Sequence, residues 1–196
     1  MASGRECYRT RSARGKSAVD GAVAKGIMRP MMPPGSSPTP SPTGTTLCLL
    51  RHARAFGQGP GAALVHEGEQ HAVQLGQRLA REGFTPARAF CSPYLRARET
   101  ARLVLAEVAP GMAPTPLHEL TPDWDPDDAL FTLASLDLPA ARVLVVAHLP
   151  LLGLLVQKLA EEIVTFSPGT LVEVDVDREC SRGRVTRVLG AYTNGG

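Results

Sequence analysis

The stretch ARVLVVAH, residues 141–148, is nearly all apolar until it ends on a histidine. A strand with water on one face alternates apolar and polar residues, whereas one covered on both faces reads as a continuous apolar run. Residues 141–148 therefore predict a central strand of a parallel sheet between two helical layers. The flanking sequence agrees with this. Pro150 opens a helix over PLLGLLVQKLAEE (150–162), and two further strand-then-helix units precede it. In the first, TTLCLL (45–50) leads to EGEQHAVQLGQRLAREG (67–83), whose Ala72, Leu75 and Leu79 recur at helical spacing before Gly83, a candidate cap. In the second, ARAFC (87–91) leads to SPYLRARETARLVLAEV (92–108), with Ser92 as candidate N-cap and Pro93 as first helical residue. Beyond residue 169, TLVEVDVD (170–177) alternates apolar with acidic residues and RVTRVLGAY (184–192) returns after a turn, which predicts a more exposed strand pair near a sheet edge. The fold class is α/β, with helices on both faces of the sheet, and there is no internal repeat.

Charge divides the chain. Residues 1–44 hold seven Lys or Arg against two acids, a net of +5, while residues 45–196 hold fourteen against seventeen, a net of −3. Residues 1–44 end in MMPPGSSPTPSPTG, a Pro, Ser and Thr run with no periodicity that could build a packed face, so they are read as a disordered basic tail. The folded domain is expected over 45–192. The tail has neither aromatic interleaving nor amphipathic period, so no nucleic acid or membrane partner is expected. Cys7, Cys48, Cys91 and Cys180 form no CxxC pair, and no apolar run approaches the roughly 20 residues of a membrane span. A reduced, cytoplasmic protein is the expectation.

Chemistry gathers where the strands end. Arg51 and His52 follow the first strand, Ser92 to Arg96 follow the second, and His148 closes the third. The crevice beyond the carboxyl ends of parallel strands is the usual ligand site of such sheets, and helix N-termini there favour anions. Arg96 in the first turn of its helix opposes the helix dipole unless something negative faces it. An anion is the expected occupant. GQGPG (57–61) lacks the Lys-Ser/Thr that would complete a nucleotide loop.

With these residues in place, LLRHARA (49–55), SPYLRARETA (92–101), HELTP (118–122) and VVAHLPLLGLL (145–155) resemble, in order, the signatures of the histidine phosphatase superfamily, most of all its SixA-type phosphohistidine phosphatases. The resemblance spans about residues 46–192. It implies a three-layer phosphoglycerate-mutase-like fold, with a mostly parallel central sheet. It also implies that His52 is the nucleophile, that Arg51, Arg96 and His148 bind the phosphoryl group, and that Glu119 is a candidate proton donor, with Asp123 and Asp125 as weaker ones. The implied activity is that of a metal-independent phosphatase with a covalent phosphohistidine intermediate and no cofactor. Its substrate would be phosphohistidine on a protein such as a phosphotransfer domain, or alternatively a small phosphate ester. A noncatalytic phosphate-binding scaffold is the third reading.

The chemistry is coherent on its own terms. A neutral imidazole can attack phosphorus, and planar guanidinium forks match pairs of phosphoryl oxygens. Arg98 and Arg102, four apart on one helix, are candidates to broaden the positive approach to the site. Two departures from the family pattern stand out. Ala53 replaces a glycine where the backbone is expected to pass close to the phosphoryl group. AALV (62–65) replaces a segment that usually brings an arginine, for which Arg54 is a candidate substitute.

Overall fold

The computed structural model describes residues 44–190, so the expected tail at 1–44 lies, except for Gly44, outside the described residues. Six strands form one sheet: β1 (Thr45–Arg51), β2 (Arg88–Cys91), β3 (Thr115–Pro116), β4 (Arg142–Ala147), β5 (Leu171–Val176) and β6 (Gly183–Leu189). Their order across the sheet is β3-β2-β4-β1-β5-β6. The pairs β3/β2, β2/β4 and β4/β1 are parallel, while β5 runs antiparallel to both β1 and β6. This is the mostly parallel, three-layer α/β architecture that residues 141–148 predict.

Side-chain alternation builds the two layers. On β1, Leu47 and Leu49 point to one face and Cys48 and Leu50 to the other; on β4, Val143 and Val145 oppose Leu144 and Val146. The first face packs under α3 (Pro126–Ser135) and α4 (Leu151–Ala160). The second packs under α1 (His66–Arg81) and α2 (Leu95–Val108). Both central strands are buried on both sides, which is why their sequence reads as unbroken apolar runs. β6 alternates between exposed and partly covered residues, as a sheet edge should.

Local chemistry sets the element ends. Helix α1 stops at Gly83, whose φ of 71° a side chain would resist; Gly83 N–H donates to the Ala80 carbonyl and Phe84 N–H to that of Leu79. Helix α2 begins at Leu95, two residues later than Ser92 and Pro93 suggest, because Ser92 Oγ accepts the Tyr94 N–H at 3.3 Å in a turn that precedes the helix. Helix α3 is fixed by Asp125, whose carboxylate accepts the N–H groups of Asp127 and Asp128, and by Pro126 at its first position. Asp125 is thus a capping residue. Cys48, Cys91 and Cys180 are buried free thiols, and burial pushes those of Cys91 and Cys180 up to about 11. Among the described residues no helix is long and apolar enough to cross a membrane.

Candidate active site

Parallel pairing places the strand ends together. Arg51 sits opposite Ala147 in the β1/β4 register, so His52 and His148, the next residues on each strand, emerge side by side with ring centroids 4.9 Å apart. On the other side of β4, the Ser92 N–H donates to the Val146 carbonyl and directs the β2–α2 connection to the same end of the sheet. Arg51, His52, Tyr94, Arg96 and His148 line one cavity of about 180 Å³, joined by Gln58 and Asp123.

The His52 ring is oriented by two hydrogen bonds. Nδ1 lies 2.7 Å from the carbonyl oxygen of Ala53, which can only accept, so Nδ1 carries the proton. Nε2 then holds a lone pair, and the Nε–H of Arg96 donates to it at 3.2 Å. Burial drives the His52 pKa down to about 4, with the charges of Arg96 and Arg51 adding to the fall and the Ala53 bond opposing it. At neutral pH the ring is uncharged.

Arg96 is only 1% exposed and is held from three sides. Its Nη1 donates to the Gly59 carbonyl at 2.8 Å, its Nε to His52, and its guanidinium lies 5.0 Å from the centroid of the Tyr94 ring. The Gly59 contact gives GQGPG its role: the loop braces Arg96 and, through the Pro60 carbonyl, accepts the Leu95 N–H at 2.9 Å. One N–H of the α2 N-terminus is therefore satisfied by protein. Arg51 donates from Nη1 to the Phe166 carbonyl at 2.7 Å, while its buried Nε has no partner among the described residues. Neither Arg51 nor Arg96 is ion-paired with a carboxylate there. Burial lowers the pKa of both guanidinium groups.

His148 is 1% exposed, edge-on to Tyr94 at 5.1 Å, and neither of its ring nitrogens has a partner among the described residues. Its pKa falls to about 3, first through burial and then through His52, Arg96 and Arg51. Buried polar groups are almost always hydrogen-bonded, and buried cations are almost always compensated. A cavity with two uncompensated guanidinium groups, an unpartnered arginine Nε–H and an unpartnered imidazole is built for an anion with several acceptor oxygens. Among the described residues no three His, Cys, Asp or Glu side chains cluster in a metal-binding arrangement.

Other sequence-derived candidates fall elsewhere. Arg54 is exposed and paired with Glu67 at 3.1 Å, away from the cavity lining, so it does not replace the arginine absent from residues 62–65. Glu119, on the 3₁₀ turn His118–Leu120, is not among the lining residues, whereas Asp123 is. Arg98 and Arg102 line a different depression. Ala53 is 1% exposed and its methyl packs in the α1/α2 core, so the side chain does not crowd the anion site. Its backbone does the work there: the carbonyl orients His52, and the N–H donates to Thr100 Oγ1 at 3.0 Å. Tyr94, Gln58 and Asp123 reach the cavity from connections; Asp123 is one of the weaker proton-donor candidates of the sequence, whereas Tyr94 and Gln58 carry no signal of their own beyond the adjacency of Tyr94 to Arg96.

Residues 47–121 match the sequence profile of the histidine phosphatase superfamily (branch 1). No curated protein sequence matches the chain. Among solved structures, the protein histidine phosphatase SixA complexed with tungstate is 26% identical, with a TM-score of 0.69 over 74% of this chain and 97% of that one. A phosphoglycerate mutase from Bacillus anthracis (17% identity, TM-score 0.59, 77% and 95% covered) shares the fold, as does a mycobacterial glucosyl-3-phosphoglycerate phosphatase (17%, 0.59, 72% and 96%). The sequence profile spans the first two clusters of site residues, Arg51–His52 and Ser92–Arg96, and the fold shared with these structures accommodates the third, His148: the chain is similar to the histidine phosphatase superfamily in sequence over residues 47–121 and in fold beyond them.

Proposed function

We propose that the protein is a phosphohistidine phosphatase acting on phosphorylated proteins through a covalent intermediate at His52. The observation that carries the reading is the pairing of a neutral, oriented His52 Nε2 with the buried, uncompensated guanidinium of Arg96. In the first step the Nε2 lone pair forms a bond to phosphorus while the phosphorus–nitrogen bond of the substrate breaks, and the leaving imidazole, protonated on its other nitrogen, takes the bonding pair and departs neutral. His52 becomes an Nε2-phosphoimidazolium whose remaining Nδ1–H is stabilised by the Ala53 carbonyl. Water then attacks phosphorus, the bond to Nε2 breaks, and inorganic phosphate leaves with neutral His52 restored. Arg51, Arg96 and His148 hold the equatorial oxygens, where charge builds during transfer. The two guanidinium groups supply the neutralising charge, while the uncharged His148 contributes a hydrogen bond, and the proposed steps use no metal ion or cofactor.

Cavity size supports the choice of substrate. A volume of about 180 Å³ is below the roughly 300–1,000 Å³ of clefts that enclose a whole small molecule. It suits a phosphoryl group whose carrier stays outside, as on a protein surface. The likeness to SixA, a protein histidine phosphatase, points the same way.

The test is direct. The full chain is incubated with a phosphohistidine-bearing phosphotransfer domain, quenched without acid, and mapped by mass spectrometry. Phosphate on His52, and none transferred in His52→Ala, is the expected outcome. Full turnover by His52→Ala would overturn the mechanism, and efficient hydrolysis of one sugar or nucleotide phosphate beside negligible action on the phosphoprotein would overturn the substrate class.

A further inference from the structure

A larger depression, an open groove of about 770 Å³, runs between α2 and β3. Its surface is mainly apolar, contributed by Leu95, Met112, Pro114 and Pro116, and its rim carries Arg98 and Arg102 one helical turn apart on the exposed side of α2. Neither arginine is ion-paired among the described residues. The groove's own carboxylate, Glu99, is engaged by the backbone: its Oε2 accepts the Leu64 N–H at 2.8 Å. Residues 45–196 are net acidic, so two unpaired guanidinium groups over one apolar groove locally reverse the sign of the domain.

The groove and the catalytic cavity share a wall. Along the β2–α2 connection Pro93 and Leu95 line the groove, while Tyr94 and Arg96 line the cavity. A polypeptide seated in the groove therefore lies beside the entrance to His52. We infer that the groove receives an acidic segment of the protein that carries the phosphoryl group, with aliphatic side chains on the Leu95 and Met112 surface and carboxylates on Arg98 and Arg102. This rests on the protein-substrate reading above. It gives Arg98 and Arg102 a task distinct from phosphoryl binding, namely to hold the carrier while Arg51 and Arg96 hold the group.

Two measurements on the full chain test the inference. In the first, fluorescence anisotropy follows a fluorescein-labelled peptide of alternating Leu and Glu and a matched Leu–Lys peptide. The wild type should select the acidic one, R98E/R102E should bind it about tenfold more weakly and R98Q/R102Q should fall between. Hydrolysis of p-nitrophenyl phosphate should be unchanged in both variants, which also verifies their folding. In the second, KM for a phosphohistidine-bearing phosphotransfer domain should rise in R98E/R102E while kcat holds. Equal affinity for the two peptides, or unaltered acidic-peptide affinity in both variants, would overturn the inference. So would binding of phosphatidylserine vesicles without binding of the acidic peptide, which would assign the groove to a lipid surface. An unchanged KM with normal phosphoprotein turnover overturns the groove assignment and leaves the phosphohistidine reading intact. A wild type that binds the acidic peptide and hydrolyses p-nitrophenyl phosphate but ignores the phosphoprotein overturns the substrate reading while supporting an acidic-polypeptide groove.

Discussion

The Nε–H of Arg96 donates to Nε2 of His52 across 3.2 Å, so the proposed nucleophilic lone pair and the cation that would stabilise the transferred group are already in contact. This contact must be exchanged for one to a phosphoryl oxygen as phosphorus approaches Nε2. Arg96→Lys keeps a charge but loses the fork that reaches His52, Gly59 and the substrate at once. Both Arg96→Lys and Arg96→Ala are expected to lower kcat on p-nitrophenyl phosphate by about 10²-fold or more. Arg98→Ala, one short step along the same helix, should change it by less than about threefold. Steady-state kinetics on the three variants checks the ordering.

Thr100 ties the nucleophile loop to the arginine helix. Its hydroxyl donates to the Arg96 carbonyl at 2.7 Å and accepts the Ala53 N–H at 3.0 Å. Thr100→Val keeps the shape but leaves the buried Ala53 N–H unpaired, at a cost of ~1–3 kcal/mol. A lower Tm together with a fall in kcat is expected, and Thr100→Ser should restore both. A change in Tm with kcat untouched would show that Thr100 holds the core without orienting His52.

Stability should depend on the two histidines in a defined direction. Both have folded pKa values below the ordinary 6.5, about 4 for His52 and about 3 for His148. Between 6.5 and those values the unfolded chain binds protons that the folded one does not. Their contribution is therefore complete above pH 6.5 and is lost as pH falls toward 3. The drop in Tm between pH 7 and pH 5 should shrink in His148→Asn. Inorganic phosphate, by placing an anion beside both rings, should raise their pKa values and soften the same drop in the wild type.

The proton donor can be located by comparing substrates. A departing alkoxide needs protonation more than a departing imidazole does, and Asp123 lines the cavity where Glu119 does not. Asp123→Asn is expected to slow alkyl phosphate hydrolysis more than phosphohistidine hydrolysis, and Glu119→Gln to have the smaller effect of the two. The opposite ranking in kcat/KM would return the role to Glu119.

Much of this arrangement is legible in the sequence because central strands advertise themselves. The apolar runs of β1 and β4 follow from burial on both faces, and strand ends of a parallel sheet meet on one side, which brings Arg51, His52, Arg96 and His148 together. Helix α3 is harder to see because only Ala129, Leu130 and Leu133 face the core; its signal is the Asp125–Pro126 cap rather than a periodic stripe. Strand β3 is two residues long and owes its pairing to β2. Arg54 was misplaced by the same logic: a cation close in sequence to His52 was expected to share its site, but Glu67 on α1 holds it outside. Tyr94, Gln58 and Asp123 enter from connections whose paths depend on tertiary contacts, and these leave no periodic trace.

Ala53 shows how a signature can loosen without loss of geometry. The group that orients His52 at this position is a carbonyl, present in every amino acid, while the side chain points away into the α1/α2 core. Genetic drift can alter what packs in that core, but no codon change deletes the carbonyl itself. The tolerance of the position should follow the volume of the core, with glycine and alanine equivalent for orienting the ring and larger residues excluded by crowding. A family pattern written as Arg-His-Gly is then stricter than the chemistry it represents, and a search that demands the glycine would pass over members whose His52 equivalent is oriented just as well.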